Sequence, residues 1–410
     1  MNTRQIFLLI TILAFAPLLG FLDNVIFPHV LAYYTHLTYF LLFMVAIFLF
    51  TKGIKTTTFN SISFFLFLLF LYYLLRSYIL PVQSNQKLIL TSYAWIMPVI
   101  AYITIIYNST IKKQHIQFLI SMIKVTIVVA CFASLVQAIV NPSFWVFHGT
   151  SPSTISTVED FYQRNLSIFS YLDSNDLGFS FLPMFSILLG YILQNKATNR
   201  TIIFWAFLAG ITAFLSNARY VSFGFILILF QIFFNTSYVK NRRITLIGIF
   251  GVPITIFFLL QFIGYDLSDY VSNRLLSEES NASRITSFFL FTEHFPEAPY
   301  WGTGVRATQS LWRELGNSEG FMQIHIGFLS HLYEFGVIGS FFLFSVYYLI
   351  VRKLITTKRL TGFSGSLFGF IVFLFANLTL VDYGIYFYGL LFVFVFDKYY
   401  SQVNINLKSP

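Results

Sequence analysis

The stretches ITLIGIFGVPITIFFLLQFI (Ile244–Ile263) and IHIGFLSHLYEFGVIGSFFLFSVYYLI (Ile324–Ile350) frame a polar segment running from Tyr265 to Phe321. Each apolar run meets the length of ~20 residues that a helix needs to cross a bilayer core. The segment between them carries Arg274, Arg284, Arg306 and Arg313 and leads directly into His325. Asn281 and Ser283 suit the start of a helix over about 284–294. Ile285, Phe288, Phe289 and Thr292 would share one face, so that this helix lies on a membrane surface. Pro296, Pro299, Gly302 and Gly304 then break it.

Composition extends this reading to the whole chain. Of 410 residues, 57% are hydrophobic and 10% charged, Phe alone contributes 53, and the mean hydropathy is +0.74. A soluble domain could not hide that much apolar surface, so the expectation is an all-α polytopic membrane protein, a single integral domain over 1–410. Twelve candidate spans follow, at about 6–22, 31–50, 59–75, 88–107, 118–140, 174–193, 201–216, 220–236, 244–263, 324–350, 363–380 and 384–397. The large outer loop, 264–321, falls between the ninth and tenth. The first run has a basic start at Arg4 without a small-residue cleavage site, and reads as a retained span. Cys131 is the single cysteine, which excludes disulfides and cysteine-based metal sites.

The net charge of +9 does not point to nucleic acid, because the charges are scattered in short loops. With the N-terminus placed in the cytoplasm, 17 of the 25 Lys and Arg residues fall on the inner side. The outer eight are Arg76, Lys87, Arg164, Arg219, Arg274, Arg284, Arg306 and Arg313, most of them in long loops that the positive-inside rule weighs lightly. Both termini are therefore expected inside and the large loop outside. Among acidic residues only Asp397 falls clearly on the inner side.

Seven of the outer eight basic residues are Arg. A guanidinium binds phosphate oxygens through a planar fork, whereas an ammonium is a point charge. Arginines at such boundaries also snorkel to ordinary headgroups. Arg219 stands apart, since it sits between two apolar runs where a charge without a partner is costly. His325 opens the tenth span and could act as a base or as a hydrogen-bond donor. His331 follows six positions on and does not share its helix face. Glu334 is a supporting candidate, and Gly336 and Gly339 read as a small-residue packing stripe. No histidine spacing suggests a metal site, and no phosphate loop or nucleotide-binding domain is present in the sequence, so no cofactor is expected.

Four stretches together resemble the O-antigen polymerase and O-antigen ligase superfamily. Arg164-Asn-Leu-Ser-Ile-Phe followed by Asp173-Ser-Asn-Asp-Leu-Gly178 is similar to the family's R..G.f..PN.lg run, with Ser167 and Asp173 where Gly and Pro are usual. Ser216-Asn-Ala-Arg219 resembles its S.SR at an outer helix boundary. Ser283-Arg284, Pro296 or Pro299, and Gly302-Thr-Gly304 resemble the large outer loop, and His325 with Gly336-Val-Ile-Gly339 resembles the His that precedes a GxxG. The resemblance covers Arg164 to Ile350. It implies a metal-independent, inverting glycosyltransferase of the bacterial inner membrane, acting on undecaprenyl-diphosphate-linked oligosaccharides. Membrane lipids and a chain-length regulator would be its other partners. Arg219 and Arg284 would hold the diphosphate, Arg164 and Arg306 would assist, and His325 would position or deprotonate the attacking hydroxyl. Ligases usually carry Asn, Ser or Gln after the His; Ile326 at that place favours a polymerase over a ligase. A lipid-linked oligosaccharide flippase is the rival from another class. It is disfavoured by span centres nearly free of charge, Lys124 being the doubtful exception.

Overall fold

A computed structural model of the chain describes residues 3–25, 34–53, 59–79, 96–140, 180–215, 219–234, 251–262, 278–303, 324 and 326–378, together with 389–408. Among the described residues the fold is all-helical and contains no strand. The described residues contain thirteen α-helices: α1 (Thr3–Val25), α2 (Tyr34–Gly53), α3 (Ser61–Ile79), α4 (Ile96–Tyr107), α5 (Lys113–Val140), α6 (Phe181–Gln194), α7 (Asn199–Leu215), α8 (Arg219–Leu229), α9 (Val252–Phe262), α10 (Glu278–His294), α11 (Gly327–Thr361), α12 (Gly365–Ala376) and α13 (Gly389–Lys408).

Most of these helices are apolar on every side, and because a helix satisfies its backbone polar groups internally such helices are compatible with lipid. Among the described residues, two stretches are long and apolar enough to cross a bilayer, Lys113–Val136 and Gly327–Thr361, and shorter apolar helices accompany them. Large apolar side chains also point outward, among them Phe132, Phe258, Phe341 and Tyr348. A bundle immersed in lipid suits that distribution better than one in water, where an outer surface of this kind would be a liability.

The centre of the bundle is α6, on which twelve residues are buried. It packs on α12 and α13, and α12 continues the contact to α8. The approach of α6 to α12 is close enough that a Cβ on Gly190 would lie 2.5 Å from the backbone nitrogen of Gly365. Small residues permit this contact, and Ser186 reinforces it by donating to the carbonyl of Gly365 at 2.8 Å. Gln231, beyond α8, donates to Ser186 and accepts from Ser364, so a buried polar network fastens three elements. Around this core α1 packs on α2, α2 on α4, α5 on α7 and α3 on α11.

Three elements differ from their sequence expectation. The helix expected over 284–294 begins six residues earlier, at Glu278, so Asn281 and Ser283 lie within it and do not cap it. The helix expected over 324–350 continues to Thr361 and is interrupted at Gly336, where φ is 64° and ψ −170°. The last helix runs past Asp397 to Lys408 instead of stopping at that charge. Asp397 is tolerated there because Tyr107 and Thr357 donate to its two oxygens at 2.8 and 2.6 Å. Lys398 donates to the Tyr107 carbonyl, and the Lys353 ammonium lies over the Tyr107 ring. A buried carboxylate with such partners is a structural fastening between α4, α11 and α13.

Candidate functional site

The interruption of α11 organises the end of the bundle opposite Asp397. In an unbroken helix the amides of Val337 and Ile338 would donate to the carbonyls of Tyr333 and Glu334. Here they donate instead to Pro299 and Tyr300, at 2.9 and 3.2 Å. The released Tyr333 carbonyl accepts from both the amide and the hydroxyl of Thr303, at 2.9 and 3.0 Å. The turn that follows α10, residues 298–303, is therefore inserted into the gap in α11 and replaces its missing hydrogen bonds. A backbone group left without a partner in apolar surroundings is expensive, so the turn and the break stabilise one another.

Two glycines make the insertion possible. Gly336 occupies a backbone region open essentially to glycine alone. Gly302 also has a positive φ, 73°. A Cβ on Gly336 would overlap the Tyr300 carbonyl and the Gly302 amide, and a Cβ on Gly302 would overlap the Glu334 carbonyl. The two residues are thus pressed backbone to backbone. Gly339, one turn on, faces the ring of Tyr72, as a small-residue packing position should.

The last two turns of α3 fasten the turn from the other side. The Tyr72 hydroxyl donates to the Phe335 carbonyl at 2.7 Å and approaches that of Trp301 at 3.1 Å. Arg76 donates from Nε to Trp301 at 2.9 Å and from Nη2 to the Gly302 carbonyl at 2.6 Å. The Trp301 ring stacks on Tyr72 with an interplanar angle of 10°.

Beyond the break, residues 327–335 form a short outlying piece of α11 against which α10 packs. Leu290 of α10 meets Ile324 and Tyr333, with Phe291 and Leu329 at the edge. His331 is buried against the rings of Tyr73 and Phe335. Glu334 is half-buried beside the break. The expected apolar face of α10 is open, with Ile285, Phe288 and Phe289 all more than half exposed. On the far side of the break an apolar groove runs along α11, lined by Val337, Phe341, Phe344 and Tyr348.

The placement of the sequence candidates follows from this geometry. Arg284 lies on α10, and Arg219 is the first residue of α8; the structure describes their backbones. Arg164, Arg306 and His325 lie outside the described residues. Ile324 packs on Leu290 of the helix that carries Arg284. Among the described residues, α8 and α10 are not among the pairs of helices that pack extensively. Gly302, from the third of the four stretches that carry the family resemblance, and Gly336, from the fourth, are in direct contact. Among the described residues, no group of His, Cys, Asp or Glu is placed to hold a metal ion.

Sequence reasoning passed over Arg76, the one of the eight basic residues expected on the outer side whose side chain is described. It was counted as a boundary charge, yet it is 5% exposed and bound to two successive carbonyls. The available signal was the pair Tyr72 and Arg76, four apart near the end of an apolar helix, where two polar side chains share a face. A comparison with protein-family models and with curated proteins finds no match for this chain.

Proposed function

We propose that the chain is a surface-polysaccharide polymerase of the O-antigen type, with about twelve spans in the bacterial inner membrane and both termini in the cytoplasm. It transfers a growing glycan from undecaprenyl diphosphate to the non-reducing end of another lipid-linked repeat unit, on the outer face. The observation that carries the reading is the union of turn 298–303 with the break in α11, next to the helix bearing Arg284 and just past His325. If Arg352 marks the inner boundary, Gly336 lies about 24 Å above it, in a hydrocarbon core ~30 Å thick. Non-helical backbone at that depth is tolerated when it is enclosed by protein. A diphosphate head at the outer boundary would reach this place while its isoprenoid tail stays in lipid along the apolar groove of α11.

In the reaction, the bond between the anomeric carbon and the donor diphosphate breaks as the acceptor hydroxyl oxygen bonds to that carbon from the opposite side. His325 orients the hydroxyl or takes its proton. The departing diphosphate gains negative charge, and Arg219 and Arg284 stabilise it more than they stabilise the bound donor. Arg164 and Arg306 assist at the same head group.

A ligase that transfers the glycan to lipid A–core would use the same donor chemistry; Ile326 favours the polymerase. A transporter reading draws on the interrupted helix, since carriers bind substrates at such breaks. Here the break is filled by the chain's own backbone, which suits a site at one face better than a pathway. The test is a lipopolysaccharide gel from a strain lacking the gene. A single repeat on lipid A–core with no ladder supports the polymerase. Bare core with long polymer kept on the lipid carrier supports the ligase. An unchanged ladder contradicts both.

A further inference from the structure

The side chains of α3 reach across to backbone carbonyls on two other elements, and nothing in the proposed chemistry uses them. Arg76 is buried in the last turns of α3 and grips two successive carbonyls, those of Trp301 and Gly302. Tyr72, one turn earlier, holds the Phe335 carbonyl on the opposite lip of the break. α3 therefore touches both halves of the joint, the inserted turn and the interrupted helix. We propose that Arg76, supported by Tyr72, is a positioning residue for the outer-face transfer. It sets the location of the Arg284 helix and of the outlying piece of α11 without itself contacting substrate. This inference rests on the polymerase reading above.

Three features support the assignment. The two carbonyls held by Arg76 belong to the turn joined to the end of α10 by a single 3-10 turn, Phe295–Glu297, so fixing the turn restrains the end of the Arg284 helix. That same turn supplies the hydrogen bonds that hold the outlying piece of α11 in its angle, and the piece begins two residues after His325. Finally, the geometry uses what distinguishes Arg from Lys. Nε and Nη2 belong to one rigid plane and meet neighbouring carbonyls together, whereas an ammonium would satisfy one well and the other poorly. These donors are occupied by backbone, which gives Arg76 a role through other residues and not at the diphosphate.

The test compares Arg76→Gln, Arg76→Lys and His325→Ala in the full chain, purified into vesicles. The probe is the undecaprenyl-diphosphate-linked repeat unit extracted from a strain that lacks the gene. Turnover is expressed per folded molecule and resolved into kcat and KM. Arg76→Gln is expected to lower kcat at least tenfold with KM within threefold of wild type, and Arg76→Lys to fall between the two. Amide exchange supplies a readout independent of activity: residues 298–303 should exchange at least tenfold faster in Arg76→Gln. Full turnover per molecule in Arg76→Gln, with His325→Ala inactive, would overturn the positioning role alone. Full turnover in both variants would overturn the polymerase site on which it rests. Unchanged exchange in 298–303 would overturn the proposal whatever the turnover, and if Arg76→Gln does not fold, Arg76→Lys decides by the same two readouts.

Discussion

Replacing Gly336 by Ala tests the joint between the turn and the broken helix at its tightest point. The native backbone there, φ 64° and ψ −170°, is one that a residue with a Cβ adopts only at a cost, roughly 1–3 kcal/mol. The new methyl group would also meet the Tyr300 carbonyl and the Gly302 amide, which are backbone atoms and cannot swing aside. Relief comes by ejecting the turn, by straightening α11, or by both. A straightened α11 would recover helical partners for Val337 and Ile338, so those two amides are poor reporters. Thr303 is a better one, because its partner, the Tyr333 carbonyl, would be taken up by the helix. The lost docking bonds contribute about 0.5–1.5 kcal/mol each. Together with the strain, the docked turn should be destabilised by about 3 kcal/mol or more, which is over a hundredfold in its equilibrium. Hydrogen exchange on the purified protein, read by mass spectrometry over 298–303, measures this directly. Protection should fall by about two orders of magnitude, and Gly302→Ala should behave in the same way. Wild-type protection of 298–303 in a folded Gly336→Ala protein would refute the reasoning.

Other variants address the site and the scaffold. Arg219→Ala, Arg284→Ala and His325→Ala should each abolish or strongly reduce chain elongation while the protein still reaches the membrane; normal polymer from all three would contradict the site assignment. Arg284→Lys should also be impaired, because the fork that matches a phosphate edge is lost, and polymer length on a gel reports it. Asp397→Ala removes the acceptor shared by Tyr107 and Thr357, and should cost about 2–4 kcal/mol, seen as a lower unfolding temperature in detergent. Asp397→Asn, which keeps one oxygen, should lose less. Gly190→Ala must push α6 away from Gly365, with an expected penalty of about 1–3 kcal/mol in the same thermal assay.

The helical class was legible because the signal is long and repeated: stretches of Phe, Leu and Ile such as 118–140 fall inside a real helix, Lys113–Val140. What was not legible depends on partners distant in the chain. Gly336 sits in an apolar run and reads as a packing residue, since nothing local reveals that a turn more than thirty positions earlier will enter the helix beside it. Arg76 and Asp397 read as boundary charges, because an isolated charge in an apolar sequence marks water. Both are buried, one against carbonyls and the other against two hydroxyls. Asn and Ser are residue types whose side chains suit a helix start, yet Asn281 and Ser283 both lie inside α10. The resemblance motifs fared differently. Gly302 and Gly336, drawn from two separate stretches, meet in space, whereas Arg164, Arg306 and His325 fall outside the described residues.

The most direct test of the central claim is elongation by the purified protein in vesicles, supplied only with its own strain's undecaprenyl-diphosphate-linked repeat unit and a metal chelator. The account predicts a ladder of longer glycans on the lipid carrier, lost in His325→Ala and in Arg284→Ala. No elongation, together with movement of the same lipid-linked sugar across the vesicle membrane, would contradict it and identify a transporter.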